Sequence, residues 1–265
     1  MNNAVTPTEA PVLVERTGAV LTLILNRPHV GNSLSTEVIR QLQGIFDEAA
    51  DDARVRVIVI EARGKVFCAG HDLREVRANA TPQFSKHLAT VCNRLMQTIQ
   101  QLPQPVIASV QGVATAAGCQ LVATCDLAVA SSAARFGTPG VNIGTWCSTP
   151  MVALSRAVPR KHAMQLLLTG RLHDAETALR MGLVNEVVDP ERLKGATEDL
   201  ANEIAGKSPY AIALGKRAFY RQLELGVSNA YEYASELAAR NATARDSSEG
   251  ISAFLEKRPA NWTGA

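Results

Sequence analysis

Aromatic residues are scarce: they make up 5% of the 265 residues, with two Trp. Stacking platforms for single-stranded nucleic acid are therefore not expected. Charge of one sign is lacking as well. The 27 Lys and Arg face 25 Asp and Glu, a net charge of +2, too little to draw a nucleic-acid partner. No apolar run reaches the about 20 residues of a membrane span, so none is expected. Cysteine is sparse and unpaired. Cys68, Cys92, Cys119, Cys125 and Cys147 form an odd set with no C-x-x-C spacing. That argues against a disulfide framework and a zinc site, predicts no metal centre, and points to a reducing cytoplasm. The opening residues, MNNAVTPTEAP, have neither a basic nor an apolar stretch. No secretory signal is expected there, and residues 1–10 read as a flexible tail. G-x-G-x-x-G and Gly-Lys-Ser/Thr are both missing, which removes the dinucleotide fingerprint and the P-loop. Internal repeats and low-complexity segments are absent too.

What is present is ordinary globular material, 46% apolar and 20% charged, in a chain long enough for a sizeable core. Val12 to Arg16 and Leu21 to Leu25 read as strands around a turn at Thr17-Gly18. Ile39, Leu42, Ile45, Phe46 and Ala49 recur at helical spacing behind a candidate N-cap, Ser35. Val55 to Ile60 and Pro105 to Val110 are short β-branched runs suited to buried strands, with an amphipathic helix from Pro82 to Gln101 between them. A helix over Gly118 to Thr124 and a strand over Leu127 to Ala130 follow. Strands alternating with helices imply an α/β fold with a largely parallel sheet. Beyond Lys161 helical patterns dominate. The expected organisation is an α/β core over residues 11–200 and a helical module over 201–265.

Two segments carry chemistry. Gly64-Lys65-Val66-Phe67-Cys68-Ala69-Gly70-His71-Asp72-Leu73 follows a buried strand, and its small residues let a ligand approach the backbone. Gly112-Val113-Ala114-Thr115-Ala116-Ala117-Gly118-Cys119-Gln120-Leu121 passes from a strand through tiny residues into a helix start. Free N–H groups and a helix dipole then meet at one point, which suits an anion or a developing oxyanion. Tight turns and close helix–strand packing demand the same residue types.

In this order, FCAGHDL, GVATAAGCQL, CDLAVAS, RFGTPGVNIG and LLLTGRLHDAETALRMGLVNEVV resemble the crotonase (enoyl-CoA hydratase/isomerase) superfamily nearly end to end. AGHDL, AAGCQLVA, TPGVN and CSTP look most like its subgroup of enoyl-CoA hydratase domain-containing proteins. The resemblance implies a spiral of ββα units, a C-terminal helical trimerisation module, and a homotrimer or dimer of trimers. It implies an acyl-CoA thioester substrate, with coenzyme A as part of it and no prosthetic group. The family's oxyanion hole falls on the backbone amides of His71 and Ala117. Ala117 stands where the family has Gly, so its backbone angles must tolerate a Cβ. By the same resemblance, Arg27, His29 and either Lys257 or Arg258, reaching a neighbouring subunit, lie near the coenzyme phosphates. Val30, Ala69, Gly70, Asp72, Leu73 and Gly118 line the coenzyme and thioester path. Trp146 reads as a wall of the acyl pocket or as plain core.

Two positions depart from the pattern. The hydratases of the family use two glutamates, one three residues after the oxyanion position and one after the Pro of FGxPE. Here these are Gln120 and Gly140. Gln is a neutral amide that orients water but exchanges no proton at neutral pH, and Gly offers no side chain. Losing one acid–base group costs about 10²–10⁴-fold in rate, so ordinary hydratase activity is not expected. Substitutes are sought in Cys147 and Ser148, at or beside positions where other members carry a catalytic Asp. Cys147 is an acid or nucleophile if a helix N-terminus lowers its pKa, and otherwise a small buried thiol. The His71 side chain is open to contacting phosphate, pairing with Asp72 or donating a proton. Asp126 is expected to fix a turn through backbone hydrogen bonds. An acyl-CoA isomerase, decarboxylase or thioester hydrolase, a binding protein without turnover, and an oligomeric scaffold all remain open.

Overall fold

The computed structural model describes residues 10–265, so all but the last residue of the expected tail lies outside the described residues. Strands β1 (Val12–Thr17) and β2 (Val20–Leu25) pair antiparallel around Gly18, whose φ of 59° suits the turn. Helix α1 (Thr36–Asp51) follows, with the Val38 N–H donating to the expected cap, Ser35.

The chain then repeats one manoeuvre. A longer strand enters a large sheet, a three-residue strand enters a second sheet, and a helix returns. β3 (Val57–Ala62) and β4 (Val66–Cys68) are followed by α2 (Leu73–Ala78) and α3 (Pro82–Gln101). β5 (Val106–Val110) and β6 (Val113–Thr115) lead to α4 (Ala117–Thr124). β7 (Leu127–Ser131) and β8 (Arg135–Gly137) lead to α5 (Ser148–Ala157). The large sheet closes with β10 (Glu186–Val188), in the order β1-β2-β3-β5-β7-β10, parallel from β2 onward. The smaller runs β4-β6-β8-β9, where β9 (His173–Asp174) is antiparallel to β8. Helices α6 (Arg160–Thr169), α7 (Ala175–Met181), α8 (Leu193–Ala205), α9 (Pro209–Gln222), α10 (Val227–Ala242) and α11 (Arg245–Glu256) complete the chain.

Alternation along β3 explains its uninterrupted apolar sequence. Ile58 and Ile60 join the main core with α1 and α3 residues such as Phe46 and Leu95. Val57 and Val59 point the other way, into a second cluster with Ile107, Val129, Leu193 and Ala201. Helix α8 thus covers the outer face of the large sheet, and residue 200 falls inside it.

The expected strand at Val55 begins two residues later, because the Val55 N–H turns back to the Asp52 carbonyl. The second strand of each ββα unit, here β4, β6 and β8, could not be placed from the residue pattern. Three residues are too few to show a hydrophobic period.

Candidate active site

The β4–α2 turn and the β6–α4 turn lie against each other, and glycine makes the approach possible. Gly70 has φ 93°, and a Cβ there would stand 2.9 Å from the Ala116 Cβ and 3.2 Å from the Ala117 nitrogen. A Cβ on Gly118 would stand 2.1 Å from the Cys68 carbonyl oxygen, so α4 rests its glycine directly on β4. The Ala116 N–H donates to the Gly137 carbonyl (3.0 Å). The next amide, Ala117, opens α4 and donates to no group among the described residues.

His71 is held from the other side. The Leu34 N–H donates to the Gly70 carbonyl (2.8 Å) and the Asp72 N–H to the Leu34 carbonyl (3.2 Å). The His71 amide between them is left without an acceptor among the described residues. Two main-chain donors, His71 and Ala117, are therefore both unspent beside the Gly70 contact. The constraint expected at Ala117 sits one residue earlier: Ala116 has φ 50° and ψ −118°, while Ala117 is the first helical residue.

The charged side chains near this point are tied to one another, and the imidazole is not among them. Burial pushes the His71 imidazole below its usual pKa, with Glu75 only partly opposing, and its Nε2 is buried without a partner. Asp72 does not pair with His71. It caps α2 by accepting from the Arg74 N–H (3.1 Å), and it accepts from Ser33 (3.2 Å) and Arg27 (3.4 Å). Burial alone would raise the Asp72 pKa, but these donors outweigh it and hold the carboxyl low. Arg27, expected at a phosphate, is thereby engaged with Asp72 and with the Ser35 hydroxyl (3.2 Å).

Gln120 lies one turn along α4 from Ala117, on the same face. It is 3% exposed, and its Oε1 accepts from the Thr149 hydroxyl (3.1 Å) in the first turn of α5. Its Nε2 has no partner among the described residues. At Gly140 the space for a side chain is closed. A Cβ would stand 2.8 Å from the Thr145 carbonyl oxygen and 2.9 Å from the Cys147 Sγ. Cys147 precedes α5 as its N-cap, yet burial raises its pKa and the Gly140 N–H only partly offsets this. It is a protonated thiol at neutral pH. The Ser148 hydroxyl is exposed and donates back to the Trp146 carbonyl (3.4 Å).

The remaining expected residues divide into two groups. The segment carrying Arg27, His29 and Val30 is joined to Ala69–Leu73 through the Ala69 N–H and the Gly31 carbonyl (2.9 Å), with His29 and Leu73 exposed. Trp146 is exposed on the loop before α5. Lys257 ends α11 at φ 55°, exposed, and has no hydrogen bond or ion pair to the site. Neighbouring Arg258 is committed to Glu249 and Glu256.

Two groups were missed by sequence reasoning. Thr149, inside the noted Cys-Ser-Thr-Pro, orients Gln120. Lys216 and Tyr220 meet Asp126, which was expected only to fix a turn. Asp126 does accept from the Val106 N–H (2.7 Å), but also from Lys216 Nζ (2.6 Å) and the Tyr220 hydroxyl (2.9 Å). A cleft of about 990 Å³ opens near this cluster, at the far end of α4, and no expected site residue lines it.

The fold, the paired turns and the comparisons agree: the chain belongs to the enoyl-CoA hydratase/isomerase family, whose model matches residues 15–265. Within it the chain is 48% identical to enoyl-CoA hydratase domain-containing protein 3, mitochondrial, of Xenopus laevis, over 91% of this chain and 82% of that one. The protein of the same name from Danio rerio is 45% identical over 95% and 87% of the two chains. A solved enoyl-CoA hydratase from Mycobacterium smegmatis superposes with a TM-score of 0.94 at 47% identity, covering 96% of this chain and 99% of that one. The fold is thus the expected crotonase type. The cytoplasmic expectation is corrected by these relatives, since the Xenopus and Danio proteins are named mitochondrial. Unpaired cysteines argue against an oxidising compartment but do not tell one reducing compartment from another.

Proposed function

We propose that this protein binds an acyl-CoA thioester, with the thioester oxygen accepting from the His71 and Ala117 amides, and stabilises the enolate formed beside it. The observation that carries this reading is the pair of unspent main-chain donors brought together by Gly70. Each donor of such a hole is worth about 10²–10³ in rate. The coenzyme passes between the Arg27–Val30 segment and Ala69–Leu73, with His29 exposed beside it and Lys257 supplied across a subunit boundary. The assembly is a homotrimer or a dimer of trimers. Phe219, Leu223, Val227, Tyr231, Phe254 and Leu255 are exposed apolar side chains in the C-terminal helical part that such an assembly would cover, and light scattering at three or six chain masses tests it. Its place is in acyl-CoA metabolism, such as that of fatty acids.

The reaction is not ordinary hydration. Gln120 and Gly140 exchange no proton, and His71 is held neutral. Crotonyl-CoA hydration is expected to fall well below about 10 s⁻¹, a median enzyme rate. A faster loss of enoyl absorbance defeats the proposal that the site lacks hydratase acid–base groups. Titration calorimetry with acetyl-CoA tests the binding itself, and absence of heat with any CoA ester removes it. Binding without turnover is a second reading, favoured by the missing carboxylates. Mass spectrometry of a CoA-ester panel separates it from an isomerase, decarboxylase or hydrolase.

A further inference from the structure

The acyl end of the site has lost its acids and kept its donors. Helix α5, ten residues long, has no side-chain cap and no acidic residue in its first turn. The Ser148 N–H is taken by the Trp146 carbonyl (2.8 Å) and Pro150 has no N–H, which leaves the Thr149 N–H without an acceptor among the described residues. Helix α4 likewise has no acid in its first turn. Gln120 is aimed at the α5 start. Its Oε1 accepts from Thr149, so Nε2 on the same amide group lies at that turn, unpartnered in a residue 97% buried. Oε1 already accepts from Thr149, whereas Nε2 has no acceptor among the described residues. A neutral donor on a largely buried side chain beside an uncapped helix N-terminus is suited to a negative oxygen.

Position limits how far that oxygen lies from the thioester. Gln120 is three residues beyond Ala117, under one turn further along the same face of α4, so a group received there belongs to a short acyl chain, a few bonds beyond a thioester carbonyl at Ala117.

Resting on the oxyanion-hole reading, we infer that the preferred acyl group is a short dicarboxylic one, of malonyl to succinyl type, with its distal carboxylate received by Gln120 Nε2 and the α5 N-terminus. Glutamates at the two family positions would repel such a group, whereas Gln120 and Gly140 do not.

The test compares malonyl-CoA with isovaleryl-CoA, a neutral thioester of nearly the same shape, by titration calorimetry on the full chain. Malonyl-CoA is expected to bind at least about tenfold more tightly, the worth of one hydrogen bond to a charged group. In Gln120→Glu the preference should reverse. In Gln120→Leu, which adds no charge, it should shrink towards one. Unchanged melting temperatures of both variants exclude misfolding as the cause. Equal binding of the two esters by the wild-type protein overturns this inference and leaves the oxyanion-hole proposal standing. Failure of both esters to bind overturns this inference, and absence of heat with acetyl-CoA as well removes the oxyanion-hole proposal too. A preference for malonyl-CoA that persists in Gln120→Glu also overturns the assignment.

Discussion

At the scale of single residues, the site is assembled by what side chains would obstruct. Gly118 lies against the Cys68 carbonyl, and Gly118→Ala would force a Cβ to 2.1 Å from it. α4 must then lift off β4, and a fall in melting temperature together with loss of CoA-ester binding is expected. Ala116 is the opposite case, a side chain where glycine is at ease. Its φ of 50° carries the strain of an L residue in the left-handed half of the map. Ala116→Gly is expected to gain about 1 kcal/mol in urea unfolding, less whatever glycine gives back as unfolded-chain entropy. At Gly140, even Gly140→Ala meets the Thr145 carbonyl and the Cys147 thiol. A loss of about 1–3 kcal/mol is expected in the same experiment. Gln120→Glu with Gly140→Glu therefore disrupts this loop, and a failure to gain hydration in that variant is the expected result.

At the scale of elements, one contact ties the C-terminal helices to the spiral. Lys216 of α9 donates to Asp126 and to the Ile99 and Gln104 carbonyls (both 2.8 Å), and Tyr220 donates to the same carboxylate. Burial lowers the Lys216 pKa and Asp126 only partly opposes it. Lys216→Met strands Asp126 with its attraction unmatched, and a loss of about 3–5 kcal/mol is expected in urea unfolding. The sequence announced the elements that α9 joins but not the join. α1 and α3 were legible from their apolar period, and β5 from its β-branched run. Asp126 and Lys216 are 90 positions apart, and no local pattern records a pairing made by the fold. The site divides the same way. Tiny residues at 116–118 announced the bare amides of α4, whereas Thr149 was invisible because its role depends on α5 packing beside α4. β4, β6 and β8 escaped because tertiary pairing, not propensity, makes three residues a strand.

At the scale of the whole molecule, the last residues fold back onto α11. Asp246 accepts from the Ser208 hydroxyl (2.6 Å), the Thr263 N–H (2.7 Å) and the Gly264 N–H (3.1 Å). Burial raises the pKa of this carboxyl, but the donors win and hold it below its ordinary value of 3.8. A carboxyl with a depressed folded-state pKa stabilises fully above its unfolded value, and that contribution is lost as pH falls through the folded value. Between pH 7 and 5 the C-terminal segment should therefore resist proteolysis equally. Below about pH 4, measured by acid unfolding, wild-type stability should fall while Asp246→Asn, already weakened at pH 7, should fall less. The closed space above Gly140 also bears on how freely this loop can vary. With the Thr145 carbonyl oxygen 2.8 Å and the Cys147 Sγ 2.9 Å from where a Cβ would stand, any larger residue must first displace its neighbours. A saturation library at this one position, screened for folded protein, is therefore expected to return glycine almost alone.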